Sequence, residues 1–290
     1  MKTLKEQFAD YEDKGKAIGH FNVSDSNQLN GIYAAARELE VPVVIGVSEG
    51  ERDFIGVEEV VSAVRAIQKR DNYPIYMNAD HTYSFERAKE VIDAGYDSVI
   101  IDGAELSYEE NVAMTKKVVD YAREVSERDG REILVEAEIG YIGKSSKELD
   151  DVPEGVGTEE FMTKPEEAAK FVQETGVDLL APAVGNLHGM LKGMSNPQLD
   201  IKRIKAIREA AGVPLVLHGG SGITDEDFKK AIEAGISMVH INTEIRKAYR
   251  DGIHSYLNEN PDEVAPYRFL SRGVEQLKAV VKNRLELFSL

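Results

Sequence analysis

A (β/α)8 barrel of the TIM type, with one additional helix at its C-terminal end, is what the sequence predicts, and three observations carry that expectation. Eight short apolar runs recur along the chain, most of them separated by stretches with apolar residues at helical spacing. The runs are continuous in Val, Ile and Leu rather than alternating, as in parallel strands covered on both faces. The length of 290 residues suits eight such units in a single domain spanning 1–290, with no low-complexity linker inside it. An open doubly wound sheet is the competing arrangement. It calls for a Gly-rich phosphate loop after the first strand, and AIGHFNVSD is not one.

Each element follows from its residues in turn. Ala17 to Val23 reads as the first strand and Asn27 to Glu40 as the first helix of the repeat. Val41 to Val47 is rich in β-branched residues and carries Pro42 near its start, where a strand tolerates it. Pro74 to Ala79 precedes a helix over Phe85 to Ala94, and Asp97 to Ile101 precedes one over Glu109 to Glu127. Glu132 to Ile139 leads into a polar loop, Gly140 to Thr163, whose length suits a functional lid better than a passive connector. Helix Pro165 to Glu174 leads to strand Val177 to Val184, and helix Ile201 to Ala210 to strand Val213 to Leu217, with Leu191 to Leu199 irregular between the two units. The last unit is helix Asp225 to Ala234 and strand Ser237 to Ile241. Four helices end in a glycine, Gly95, Gly176, Gly212 or Gly235, before the next strand begins. Arg272 to Leu290 is the extra amphipathic helix, read as an oligomer contact in a homodimer or homotetramer rather than as mere packing.

Composition excludes several classes. With no cysteine there is no disulfide framework, Cys-based zinc finger or thiol nucleophile. A formal charge of −17 argues against a nucleic-acid partner bound through phosphate neutralisation. No apolar run is long enough to span a membrane, and the first residues, MKTLKEQFADYEDKGK, lack the apolar core of a signal peptide, so a cytoplasmic location is expected.

Chemistry in such a barrel sits at the C-terminal strand ends. The polar residues there are Asn22, Ser48, Asp80, His81, Asp102, Glu136, Glu138, His188, His218, Gly219 to Gly222, His240, Asn242 and Thr243. Four of the six histidines fall at these ends. Three neutral imidazoles with an open position make a catalytic zinc site, and His81, His188 and His218 are the chosen ligands. Asp80 beside His81 reads either as a helix cap or as a proton donor and acceptor next to the metal. The glycine run Gly219-Gly220-Ser221-Gly222 with Asn242-Thr243 matches the barrel phosphate site after the last two strands. Lys192 and Arg246 are available to add positive charge, although alone each reads as an ordinary solvated residue.

The segments FNVSD, VSEGE, NADHTYSFE, SVIIDGAELSYEENV, VEAEIGYIG, GVDLLAPAVGNLHG, VPLVLHGGSG and HINTE together resemble the class II, zinc-dependent fructose-1,6-bisphosphate aldolases, in the shorter class IIB branch. The resemblance covers nearly the whole chain and implies roles. His81, His188 and His218 match zinc ligands, and Asp80 the acid/base acting on the C4 hydroxyl. Gly189, Lys192, Gly219, Gly220, Ser221, His240, Ile241, Asn242 and Thr243 match positions holding the dihydroxyacetone phosphate end. Asn22 and Ser48 match the pocket floor, Arg246 an arginine on the distal phosphate, and Asp102 with Glu138 a second metal site. Glu148 in the long loop matches the acidic residue that moves a proton at the nascent carbanion. A potassium or sodium ion beside the phosphate is implied as well.

Three departures stand out. Asn78 replaces the leading histidine of the family's H-x-D-H, Gly143 to Asp151 reads as a short insertion in the mobile loop, and His240 stands where the family usually has asparagine. The implied reaction is reversible cleavage of fructose 1,6-bisphosphate to dihydroxyacetone phosphate and glyceraldehyde 3-phosphate, a step of glycolysis and gluconeogenesis. Tagatose 1,6-bisphosphate or another ketose bisphosphate is the alternative; a polar side chain at Asn242 goes with fructose. A Schiff-base aldolase lacks its lysine in Val177 to Val184. A zinc hydrolase and a non-catalytic sugar-phosphate-binding barrel remain as rivals of other classes.

Overall fold

Residues 1–143 and 147–289 are described by the structure, a computed structural model; Lys144, Ser145 and Ser146 of the long loop, and Leu290, lie outside them. The strands are β1 (Ile18–Asn22), β2 (Val43–Gly46), β3 (Ile75–Thr82), β4 (Ser98–Ile101), β5 (Leu134–Ile139), the short β6 (Glu148–Leu149), β7 (Leu179–Pro182), the short β8 (Met190–Leu191), β9 (Leu215–Leu217) and β10 (Ile236–Ile241). Eight close a parallel barrel in the order β1-β10-β9-β7-β5-β4-β3-β2, while β6 pairs with β8 as a separate ribbon. First and last strands meet in register, with His20 opposite His240. All eight strand expectations therefore correspond to barrel strands. β3 continues three residues beyond the expected Ala79, so Asp80 and His81 lie within it.

The helices are α1 (Leu4–Glu12), α2 (Ser26–Leu39), α3 (Glu49–Ile55), α4 (Val57–Asp71), α5 (Phe85–Ala94), α6 (Tyr108–Asp129), α7 (Pro165–Thr175), α8 (Ile201–Ala211), α9 (Asp225–Glu233), α10 (Thr243–Glu259), α11 (Pro266–Phe269) and α12 (Ser271–Ser289). Their starts follow capping chemistry: Asp25 accepts from the N–H groups of Asn27 and Gln28, and Ser84 from that of Arg87. Gly95, Gly176 and Gly212 close α5, α7 and α8 in the left-handed region. No helix among the described residues is long and apolar enough to cross a membrane.

Strand alternation divides the interior. Outward residues such as Val43, Ile45, Val99, Val135 and Val239 join the inner faces of the helices in the larger core. Inward residues Ile18, Val44, Tyr76, Leu134, Leu179, Val216 and Met238 form a second cluster with Leu4, Phe8 and Tyr11 of α1. That helix plugs the N-terminal end of the barrel, with a Thr3–Glu6 capping box fixing its start. One turn higher along the strands, the inward positions become polar: His20, Asn78, Ser98, Glu136 and His218 are all 0% exposed. The barrel is thus greasy at the bottom and ionisable at the top.

The tail helix α12 spends its apolar stripe on its own chain. Leu277, Val281, Leu285 and Phe288 are buried, with Phe288 edge-on to Phe228 of α9 at 5.2 Å. Each such side chain contributes roughly 1.5–3 kcal/mol by leaving water. Arg284 on the same helix reaches Glu244 at the start of α10 with two 2.9 Å hydrogen bonds.

Candidate active site

The end of β3 resolves a conflict in the sequence. Adjacent strand residues point to opposite faces, yet Asp80 and His81 both turn into the barrel mouth. The β3–β4 register shifts between Ala79 and Thr82, and His81 takes a φ of +37°, in the left-handed region. A non-glycine residue there costs on the order of 1–3 kcal/mol. Arg52 of α3 holds this bulge in place. Its guanidinium is buried and donates to the carbonyls of Val47 and Asp80 and, at 3.1 Å, to Thr82 Oγ1.

Three imidazoles then converge. Ring centroids of His81 lie 4.6 Å from His188 and 5.0 Å from His218. Each ring has one nitrogen fixed from outside: His81 Nδ1 by Asp102 at 2.8 Å, His188 Nδ1 by the Gly143 carbonyl at 2.8 Å, and His218 Nε2 by Glu136 at 2.9 Å. The remaining nitrogens face one another, and with a Glu138 oxygen they all lie within 4.8 Å. Orienting a ligand through its other nitrogen is how metal-binding histidines are held. Glu138 Oε2 and His218 Nδ1 lie buried 3.2 Å apart and make no hydrogen bond to any other group. This donor set fits a divalent metal.

The electrostatics agree with that fit. Burial lowers His188 to about 3, so its ring is neutral. Burial would also lower His81, but Asp80 and Asp102 outweigh it and raise it to about 9. Burial opposes a proton on His218 too, and Glu136 and Glu138 override it. In short, the carboxylates draw positive charge to the place a cation would take. Burial pushes the Asp80 carboxyl up, yet His81, His240 and His20 together hold it well below the usual carboxylate range. Asp80 Oδ2 also accepts from Asn22 Nδ2 at 2.9 Å.

A cavity of about 360 Å³ opens above the histidines, lined among others by Ser48, Asp80, His81, Tyr83, Asp102, Glu138, His188, Asn242 and Arg246. A narrower recess continues from it past Asn22, Gly189, His218, Gly219, Ser221, His240 and Thr243. The glycine loop around that recess is braced from β10 and α10. Gly220 N–H donates to the His240 carbonyl, Gly222 N–H to Glu244 and Glu244 N–H to Ser221 Oγ. Gly219 has a φ of +62°, and a Cβ there would run into the Leu187 carbonyl, so only glycine fits.

Residues 2–290 match the family described as fructose-bisphosphate aldolase class-II. The chain belongs to that family. It is a lyase, and class II aldolases are generally metal-dependent. It is 37% identical over 289 residues to the fructose-bisphosphate aldolase of Staphylococcus aureus, covering 99% of this chain and 96% of that one. To the fructose-bisphosphate aldolase of Geobacillus stearothermophilus it is 38% identical over 279 residues, covering 95% and 92%. The crystal structure of the YdjI aldolase from Escherichia coli K12 superposes with a TM-score of 0.80 at 31% identity, covering 99% of this chain and 97% of that one.

In this class II aldolase the other expected site residues take varied places. Lys192 lines neither cavity and pairs with Asp150 at 2.8 Å. Glu148 stands on the β6–β8 ribbon, outside both cavities, with an oxygen 3.3 Å from Lys247 Nζ and the other 3.8 Å from Arg250. Glu148 is thus a described residue, although the insertion preceding it includes the undescribed Lys144 to Ser146. Asp102 and Glu138 are not grouped in a second cluster of their own: Asp102 orients His81, and Glu138 joins the three histidines. Ile241 points outward into the core around the barrel, leaving only its backbone at the strand end. His240 stacks on His20, with centroids 3.4 Å apart, and its Nδ1 lies 3.4 Å from Asp80. No lysine lines either cavity among the described residues.

Three residues of the aldolase site carried no role in the sequence reading: Arg52, Glu136 and Glu51. Glu51 is 5% exposed and accepts from Asn22 Nδ2 at 2.9 Å and from Ser48 N–H at 2.8 Å. The available signal was the charged run Ser48-Glu49-Gly50-Glu51-Arg52 immediately after a strand end. Glu136 was legible only as an inward neighbour of Glu138 two residues away.

Proposed function

We propose that this class II aldolase cleaves fructose 1,6-bisphosphate reversibly to dihydroxyacetone phosphate and glyceraldehyde 3-phosphate, with zinc held by His81, His188 and His218. The observation that carries this reading is the convergence of three outwardly fixed imidazoles beside an ionised Asp80. Bound zinc supplies Lewis-acid stabilisation of the negative charge that develops as the C3–C4 bond breaks.

The chain's own groups do the rest. Asp80 takes the proton from the C4 hydroxyl, its carboxylate kept in place by Asn22. The Gly219-Gly220-Ser221 loop and the N-terminus of α10 hold the phosphate of the three-carbon ketone, where backbone N–H groups and the helix dipole favour an anion. His240, placed against Asp80, helps fix the orientation of that carboxylate. Arg246 and Ser48 face the distal end of the sugar from the cavity wall. Glu148 is the donor assigned to C3, and reaching it requires release of the Lys247 contact and movement of the β6–β8 ribbon. Asn242, a polar side chain in both cavities, favours fructose over tagatose bisphosphate. A cytoplasmic homo-oligomer acting in glycolysis and gluconeogenesis completes the reading.

The test is triose phosphate release from fructose and tagatose 1,6-bisphosphates, with chelator and with zinc restored. Chelator-sensitive cleavage that zinc restores, faster on the fructose sugar, is the expected result. No cleavage of either sugar by zinc-loaded protein would sink the assignment.

A further inference from the structure

We propose that the same site also cleaves ketose 1-phosphates, sugars whose aldehyde half carries no phosphate, because Glu51 neutralises Arg246. This rests on the aldolase reading above and adds a substrate class to it. Arg246 is the one Lys or Arg side chain lining either cavity among the described residues. Its guanidinium is paired with Glu51 Oε1. The partner is not a loose surface acid. The other carboxylate oxygen of Glu51 accepts from Asn22 Nδ2 at 2.9 Å, Ser48 N–H at 2.8 Å and Ser48 Oγ at 2.9 Å.

Helix chemistry explains why Glu51 is there. It is the third residue of α3 and closes a capping box with Ser48, so the rule that starts the helix also sets a carboxylate against Arg246 of the cavity wall. Swinging it aside would break the cap and strand a buried carboxylate. An incoming phosphate dianion therefore meets an arginine whose charge is already matched, with a fixed negative charge behind it. A hydroxylated, uncharged tail meets something better suited. The remaining Arg246 donors, the Ser48 hydroxyl oxygen and the Asn242 side-chain amide, all on the cavity wall, offer both donors and acceptors. The phosphate at the other end is held separately, because the glycine loop lines the narrower recess and neither Arg246 nor Glu51 does.

The chemistry balances without a further reactant. In fructose 1-phosphate the C3–C4 bond breaks, the C4 hydroxyl proton goes to Asp80, and C4 becomes the aldehyde of glyceraldehyde. The electron pair left on C3 takes a proton from Glu148, the donor assigned above, to give dihydroxyacetone phosphate, and proton exchange with water returns Asp80 and Glu148 to their starting states. Neither product requires a phosphate on C6.

The experiment compares kcat/KM for fructose 1-phosphate and fructose 1,6-bisphosphate, using zinc-loaded wild type and Glu51→Gln and reading dihydroxyacetone phosphate. Glutamine preserves the capping box, and a thermal melt confirms that the variant is folded. Wild type is expected to cleave the two sugars with kcat/KM values within about tenfold of each other. Glu51→Gln should free Arg246 and raise the preference for the bisphosphate by about tenfold or more, through a lower KM. Cleavage of the bisphosphate alone, or an unchanged ratio in folded Glu51→Gln, overturns the proposal and leaves the aldolase reading standing. Failure to cleave either sugar overturns both.

Discussion

His218 shows how much of a metal site lies outside its ligands. Its Nε2 is held by Glu136, a carboxylate with 0% exposure that itself lines neither cavity. Glu136→Gln keeps a hydrogen-bond acceptor but removes the negative charge that makes the imidazole a better donor to a metal. Zinc affinity should fall about 10–100-fold, as read by competition with a chromophoric chelator. Unchanged affinity would mean that His218 is placed by packing alone. The three histidines were legible because barrel strands end in polar residues only where chemistry needs them. Glu136, Arg52 and Glu51 were harder to see, because the partners that give them a place in the site, His218, the Asp80 carbonyl and Asn22, come from other elements of the barrel. Nor does spacing reveal the +37° φ of His81, which lets two adjacent residues share one face.

Helices and strands were readable wherever one periodicity ran long enough. The boundaries of α5 agree with the expected Phe85 to Ala94, because a serine cap and a terminal glycine bracket a clean amphipathic stretch. Elements whose role is to fill a specific gap were harder. The nine residues of α1 look polar in sequence, and their purpose as a plug appears only once the open barrel end is known. The glycine loop between β9 and α9 is an element of the opposite kind, where shape dominates. Gly219→Ala adds a methyl against the Leu187 carbonyl at a left-handed φ. It should cost about 1–3 kcal/mol, seen as a lower melting temperature, with KM for dihydroxyacetone phosphate raised in the condensation direction. A variant with unaltered KM would remove this loop from the phosphate site.

Over the whole molecule, charge and function oppose one another. A net charge of −17 repels an anionic sugar phosphate at long range, and the cavity's single arginine is already paired. Added salt should therefore speed capture. Raising ionic strength from about 10 to about 100 mM is expected to increase kcat/KM for the bisphosphate several-fold before plateauing. A decrease would show that the field at the mouth is positive and outweighs the total.

The seam where β1 meets β10 carries a final consequence. Asn22 stands on one side of it and His240 and Asn242 on the other, so the substrate recess straddles the join between the first and last strands. During synthesis the three imidazoles are all made before Ile236 emerges, whereas the recess has no second wall until the final strand docks. The proposed metal ligands thus all precede the last strand in the chain, whereas the metabolite's recess is built partly from it. Turnover is in this sense a clock for ring closure, and in refolding it should return no sooner than hydrogen-exchange protection across the β1–β10 ladder.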